Sequence, residues 1–412
     1  MSKINILRKL ELNFIHKSLV NRFSIFALVL IGIICFEVII LYKSSPKNVD
    51  NLSSNQLLKI CNKHKQSSTS KLQCWEELIE KELKQKGVDA SMVLLADLYK
   101  KDKDFAESCH GYTHTIGSKA YFLFKENKQV YTGSKASYCG YGFYHGFLET
   151  LVNTSGDFSE AREFCQKTAE LSQLGSAQTA CYHGIGHGVA DGSDPRAWGN
   201  PEAMIKDALS MCEKVSENDI QEESCASGVF NSLAIMYWNS KYKLTINKNG
   251  PFEICYKQKK EFILQKCFEE MNTLVARLAD NDFSEAMAFA SNIKDDKYAG
   301  YAVSGLSTFA TAFTKNTENP IEFLSICHSL RLTLQRPCLV GFVAGLIENG
   351  PPEKQYVAVL DLCKSEKLSD EEKKYCFQAL LRYGNHFYSG EKYRDLCKIV
   401  KESYRSLCDT SS

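Results

Sequence analysis

Seventeen cysteines are spaced along this chain as a ladder of close pairs. Cys35 stands apart, and the other sixteen follow as eight consecutive pairs, seven of which are separated by 11 to 16 residues. The pairs are Cys61 and Cys74, Cys109 and Cys139, Cys165 and Cys181, Cys212 and Cys225, Cys255 and Cys267, Cys327 and Cys338, Cys363 and Cys376, and Cys397 and Cys408. An even count at regular spacing is typical of disulfides formed in an oxidising compartment. We therefore predict eight local disulfide bonds.

Each cysteine pair is flanked by residues that favour two helices joined by a short turn. The first cysteine ends a helix-like stretch, as at Cys165, and the second opens another, as at Cys225. Ser369 to Glu372 fit a capping box ahead of Cys376. A disulfide that closes a loop of this size contributes about 3 kcal/mol in the chain-entropy model. Free buried thiols or thiolate metal ligands are the alternative, which the lack of any C-x-x-C motif weakens.

A duplicated segment tests the pairing from within the sequence. The phrase DFSEA occurs at 157–161 and again at 282–286. The first copy leads to Cys165, whereas Ala290 stands at the corresponding place in the second copy. The cysteine expected in the following helix is also missing, since Lys297 stands there. Both members of one pair are lost together, as expected for cysteines that bond to each other.

The second helix of several pairs shares the frame C-x-x-G-x-x-x-G. This frame begins at Cys139, Cys181 and Cys338, and Cys225 begins a near match. The copies recur every 42 to 44 residues from Cys139 to Cys267. Such a period resembles the tetratricopeptide and Sel1-like class of α-helical repeats, in architecture only, so no function is carried over. The resemblance implies an all-α fold, a right-handed α-solenoid of about nine helical hairpins.

An apolar stretch near the N-terminus predicts a membrane span. Residues 23–42 contain a single ionisable group, Glu37, and about 20 apolar residues suffice to cross a bilayer as a helix. The preceding segment is basic, which favours a cytoplasmic N-terminus. A cleaved signal peptide is the alternative, disfavoured by the long basic segment and the lack of a small-residue cleavage site.

This span divides the chain into four predicted regions. They are a cytoplasmic N-terminus at 1–22, the transmembrane anchor at 23–42, a linker at 43–56 and an extracytoplasmic cysteine-rich repeat domain at 57–412. The domain would be periplasmic, extracellular or lumenal. The net charge of +1 provides no field that attracts nucleic acid, so no nucleic-acid partner is expected. The predicted span makes the membrane the first expected partner.

Five of the nine histidines fall between residues 110 and 187, in three phrases of the form H-G-x-x-[H/E]. Residues four apart lie on one face of a helix, so each phrase offers two ligand side chains in one direction. The predicted ligands are His110, His114, His145, Glu149, His183 and His187, with Asp191 as a further ligand or a group that supports one. Imidazole and carboxylate groups suit zinc, iron, manganese or copper. We therefore predict a metal site within 109–191, for one ion or two.

Neighbouring polar residues extend this site into a predicted pocket. Tyr112, Tyr141 and Tyr144 are expected to line the pocket and orient a substrate, together with Asn231. The sequence leaves open whether His110 and His114 face the same pocket as the other histidines. It also leaves open a hydrogen-bonded structural network, noncovalent haem or direct ligand binding in place of a metal.

The sequence is consistent with two functions. It contains no signature of a particular reaction. The first is a membrane-anchored metalloprotein, which as an enzyme would use metal-activated water or dioxygen. The second is a non-catalytic repeat scaffold that binds a protein or peptide on its concave face. The absence of H-E-x-x-H argues against a zincin protease, and the absence of C-x-x-C-H argues against covalently bound haem.

Overall fold

The structure is a computed structural model, and it describes a defined part of the chain. The described residues are 54–63, 68–127, 133–172, 174, 176–190, 192–246, 250–313, 320–388, 390–400 and 402–408. The predicted membrane span at 23–42 lies outside these residues, as does Asp191. Among the helices that are described, none combines the length and the apolar character that a bilayer crossing requires. The chain divides into two compact units after Leu57, and the account below concerns the second, residues 58–412.

Helices account for all the regular secondary structure in the described residues, where no strand occurs. Four of them are short 3-10 helices, and the others are α-helices. In chain order they are α1 (Ser54–Lys63), α2 (Ser68–Lys86), α3 (Val88–Tyr99), α4 (Lys103–Glu107), α5 (Cys109–Asn127), α6 (Gly142–Ser155), α7 (Phe158–Ser172), α8 (Ala177–Val189), α9 (Pro201–Val215), α10 (Asp219–Met236), α11 (Glu261–Glu270), α12 (Asn272–Leu278), α13 (Phe283–Ser291), α14 (Asp296–Phe313), α15 (Pro320–Ser329), α16 (Leu332–Glu348), α17 (Tyr356–Cys363), α18 (Asp370–Phe387) and α19 (Gly390–Ile399). The all-α prediction is therefore confirmed. Helix α1 begins within the stretch predicted as a linker.

The eight cysteine pairs predicted from spacing are the eight pairs that the structure brings to bonding distance. Their Cα atoms lie 5.3 to 6.2 Å apart, within the range that a disulfide spans. The capping box at Ser369 is also present, since its hydroxyl and the Glu372 carboxylate bond to each other's backbone amides. The second copy of the duplicated segment begins the hairpin α13–α14. There Ala290, which takes the place of Cys165, is as fully buried as that cysteine.

The second helices of successive hairpins pack against one another in chain order. The order of contact is α5, α6, α8, α10, α11, α14, α16 and α18. Glycines set the spacing between these helices: a Cβ added at Gly186 on α8 would lie 2.0 Å from the carbonyl oxygen of Cys225 on α10. The backbones therefore approach closely, which explains why the repeat frame has glycine at these positions.

The last repeats contact the first repeats directly. Tyr99 donates a hydrogen bond to the carbonyl of Asn349 at 2.7 Å, and Ser176 donates one to the carbonyl of His386 at 2.7 Å. The Tyr138 hydroxyl donates to the carboxylate of Glu353 at 2.8 Å. We call this set of contacts the seam. Because its partners are more than 200 residues apart in sequence, the seam brings the C-terminal helices beside the histidine phrases.

Candidate metal centre

Three neighbouring helices bring the histidine phrases side by side. The phrases open at His110 on α5, His145 on α6 and His183 on α8, and α5 packs on α6 as α6 packs on α8. All three phrases therefore belong to one layer of helices. The sequence left open whether His110 and His114 face the same pocket as the other histidines. The packing of α5 puts their phrase in the same layer as the other two.

His145, His183 and His187 converge on one point. One ligand nitrogen from each lies within 4.8 Å of the other two. The Nε2 atoms of His183 and His187 are 3.1 Å apart, and the ring of His145 is centred 4.6 Å from that of His183. We call these three residues the histidine cluster. The cluster can hold a metal ion.

Hydrogen bonds at the other ring nitrogens orient two members of the cluster. Ser227 donates to one oxygen of Glu270 at 2.5 Å, and Asn231 donates to the other at 3.1 Å. Because its proton is directed to Glu270, the Ser227 oxygen accepts from Nδ1–H of His183 at 3.0 Å. The Nε2 atom of His183 then carries a lone pair that faces His187. Nδ1 of His187 lies 2.8 Å from the hydroxyl of Ser232, a group that can either donate or accept.

His110 is held beside the cluster by a backbone carbonyl. Its Nδ1 lies 2.9 Å from the carbonyl oxygen of Cys139, which can only accept, so Nδ1 carries the proton and Nε2 the lone pair. Its ring is centred 5.2 Å from that of His145. The Cys109–Cys139 disulfide joins the residue before His110 to the residue that supplies this carbonyl. This disulfide is therefore part of the site's framework.

His114 and Glu149 form a separate pair, with 3.0 Å between Nε2 and the carboxylate. The hydrogen bond from His114 lowers the pKa of Glu149. The structure thus brings these two predicted ligands together, one turn along their helices from His110 and His145. They are not part of the three-histidine cluster.

The cluster histidines are neutral at physiological pH. Burial lowers the pKa of His145 and His183 well below the ordinary value, and the charges of neighbouring histidines act in the same direction. Burial likewise lowers the pKa of His187 to about 4. Neutral imidazole is the form that binds metal ions, so protons do not compete for these nitrogens near pH 7.

The distance between two of the three nitrogens fits a metal ion. Two nitrogens bound to one tetrahedral zinc ion at 2.0–2.1 Å stand about 3.3 Å apart, near the 3.1 Å between His183 and His187. Metal-bound histidines usually donate their second ring N–H to an oxygen, as His183 does to Ser227. The same groups also satisfy one another without a metal if Ser232 donates to His187 and His187 donates to His183. Both states are chemically consistent.

The predicted pocket residues occupy different environments. Tyr112 lies in the core, where it stacks on Phe105 at 4.5 Å, and Tyr144 is fully buried beside Tyr141. Tyr141 bonds to Ser176 at 2.6 Å and to the carbonyl of His386, which places it at the seam. Asn231 donates a hydrogen bond to Glu270, the carboxylate that also accepts from Ser227. Substrate binding by these residues stays a prediction.

Several residues of the site were missed from the sequence, although the repeat frame contains a signal for some of them. Ser227 stands two residues after Cys225, as His183 does after Cys181. Glu348 stands ten residues after Cys338, as Glu149 does after Cys139. The repeat frame in which His183 and Glu149 hold these positions therefore also picks out Ser227 and Glu348. Ser232 and Glu270 have no such counterpart among the predicted ligands.

No protein-family model matches the chain, and no curated protein or solved structure is found to be similar. The function is therefore argued from the site alone.

Proposed function

We propose that this protein is a membrane-anchored, extracytoplasmic helical-repeat protein that binds a transition-metal ion at His145, His183 and His187. In this proposal residues 23–42 anchor the chain, and the repeats form a right-handed α-solenoid of about nine hairpins. The eight disulfides support an oxidising compartment, because such bonds form and persist there. The observation that supports metal binding most directly is the convergence of three imidazole nitrogens within 4.8 Å.

The ligand type narrows the choice of metal. An all-imidazole set suits zinc, copper or iron better than manganese, which prefers carboxylates. Three protein ligands leave a coordination position open for water or substrate, as in catalytic zinc sites. The enzymatic form of the proposal is therefore metal-assisted reaction of a bound water molecule, or dioxygen chemistry if the metal is redox-active.

Metal content tests the proposal. The full chain is purified in detergent without chelators, and bound metal is measured by inductively coupled plasma mass spectrometry. We expect about one equivalent in the wild type and none in the His183→Ala/His187→Ala variant, because imidazole supplies most of the binding free energy. His328→Ala is the matched control, since His328 pairs with Glu372 at the surface and has no role in the cluster. A wild type that stays metal-free after dialysis against zinc would contradict the proposal.

The second candidate is a non-catalytic scaffold that binds a protein or peptide partner. It is favoured by one observation, the hydrogen bond of 3.1 Å between His183 and His187, which satisfies both rings without a metal. This candidate predicts a metal-free wild type in which the double alanine variant loses stability and nothing else.

A further inference from the structure

We propose that Glu348 recognises a positively charged group, an ammonium or a guanidinium, on a small ligand that binds beside the histidine cluster. This inference rests on the proposed metal function. Glu348 ends α16 in the C-terminal part of the chain, so the last repeats would contribute directly to a site built on the first repeats.

The position of Glu348 is set by a glycine. Gly140 has a φ of +69°, and a Cβ added there would lie 3.1 Å from Oε1 of Glu348 and 3.3 Å from Nδ1 of His110. The carboxylate and the His110 ring therefore lie against the same backbone position. Since the His110 ring is 5.2 Å from that of His145, Glu348 borders the cluster on its α5–α6 side.

Glu270 connects Glu348 to the other side of the cluster. Glu270 accepts from Ser227, which in turn accepts from His183. Repulsion from Glu270 adds to the effect of burial and raises the pKa of Glu348 to about 7. The two carboxylates thus face the same interior region, one beside His110 and one behind His183.

The carboxylate of Glu348 has no positive partner in the described part of the chain. The charge that acts on it is that of another acid, and no described residue donates a hydrogen bond to it. Lys266, the cation that acts on Glu270, is already paired with Glu269 at 2.8 Å and with Glu223 at 3.2 Å. A partly buried carboxylate without a partner is costly, and a cationic ligand group would offset that cost.

An organic cation fits Glu348 better than a second metal ion. A metal ion needs several converging ligand atoms, and the described residues bring three together only in the histidine cluster. A single carboxylate is sufficient for an ammonium or guanidinium, through charge-assisted hydrogen bonds. The expected ligand therefore combines a metal-binding group with a nearby cationic group.

A matched pair of probes tests this inference. Glycine hydroxamate and acetohydroxamate both bind metal ions through the hydroxamate and differ only in the amine. Their affinities for the zinc-loaded full chain in detergent are measured by isothermal titration calorimetry. We expect the wild type to prefer glycine hydroxamate about tenfold, the effect of one charge-assisted hydrogen bond. Glu348→Gln keeps the shape and should reduce that preference to about one.

Glu353→Gln is the control variant, because Glu353 lies at the same seam, half-exposed, and bonds to Tyr138 and Lys392. It should keep the tenfold preference. Equal binding of both probes by the zinc-loaded wild type overturns this inference and leaves metal binding intact. A preference that survives in Glu348→Gln also overturns it, as does a second zinc equivalent that this variant loses. A wild type that binds no zinc overturns both proposals.

Discussion

Single hydrogen bonds decide how the site residues can act. The carbonyl of Cys139 fixes the proton of His110 on Nδ1, and Ser227 does the same for His183. Both residues therefore present Nε2 as a lone pair. The sequence predicted which histidines to examine, because helical spacing of four residues is a local property. It did not reveal these partners, since Ser227 lies 44 residues from His183 and meets it only through helix packing.

At this scale we predict that His187 stays neutral until the pH falls to about 4, because burial disfavours its charged form. An unfolded histidine titrates near 6.5, so the unfolded metal-free chain binds more protons between pH 6.5 and 4. Protonation of His187 in the unfolded chain therefore lowers the free energy of unfolding by about 3 kcal/mol as the pH falls from 6.5 to 4.

Histidine-selective NMR of the metal-free chain measures this pKa directly. Urea unfolding at pH 7 and pH 4.5 then compares the wild type with His187→Gln. The wild type should lose more free energy of unfolding on acidification than this variant does. An imidazole that titrates near 6.5 would show that the ring is not enclosed as described.

Between elements, glycine is what allows the helices of the site to meet. Gly186 and Gly228 face each other across α8 and α10, where a Cβ on either would come within about 3 Å of the other's Cα. The glycine frame is visible in the sequence, and because glycine costs free energy in a helix, such a frame favours a close approach by a helix or a ligand. The structure shows that a helix makes that approach at these two glycines.

We therefore expect Gly186→Ala to destabilise the fold by about 3 kcal/mol or more, because the new methyl group meets the rigid backbone of α10. Gly111→Ala is the matched control from the first histidine phrase, since no outside atom lies within 4 Å of its added Cβ. The free energy of unfolding of Gly111→Ala should rise by up to about 1 kcal/mol, because alanine favours a helix more than glycine does. Urea unfolding measures both, and equal effects would refute the packing argument.

For the molecule as a whole, the seam is the feature that brings the C-terminal helices beside the histidine phrases. It connects Ser176 to the carbonyl of His386 and sets Glu348 against Gly140. Glu348 shares its place in the repeat frame with Glu149, but the frame alone does not place it beside the histidine phrases. Only the return of the last repeats brings this carboxylate there.

We predict that Ser176→Ala weakens the seam by about 1 kcal/mol, the net contribution of one hydrogen bond. Hydrogen exchange measured by mass spectrometry should rise together in peptides around residues 176 and 386. Ser155→Ala is the control, because its hydroxyl bonds locally to the carbonyl of Leu151 within α6. Faster exchange near residue 176 alone would contradict a direct link between the two ends.

The all-helical character, the eight cysteine pairs and the helices that contain the histidines could all be predicted from the sequence. These features are local: a helix has a fixed period, and seven of the disulfides join cysteines only 11 to 16 residues apart. Only the packing of the helices shows which nitrogens converge and which late residues lie beside them. The seam joins residues more than 200 apart in sequence, and no local pattern in the sequence predicts such a contact.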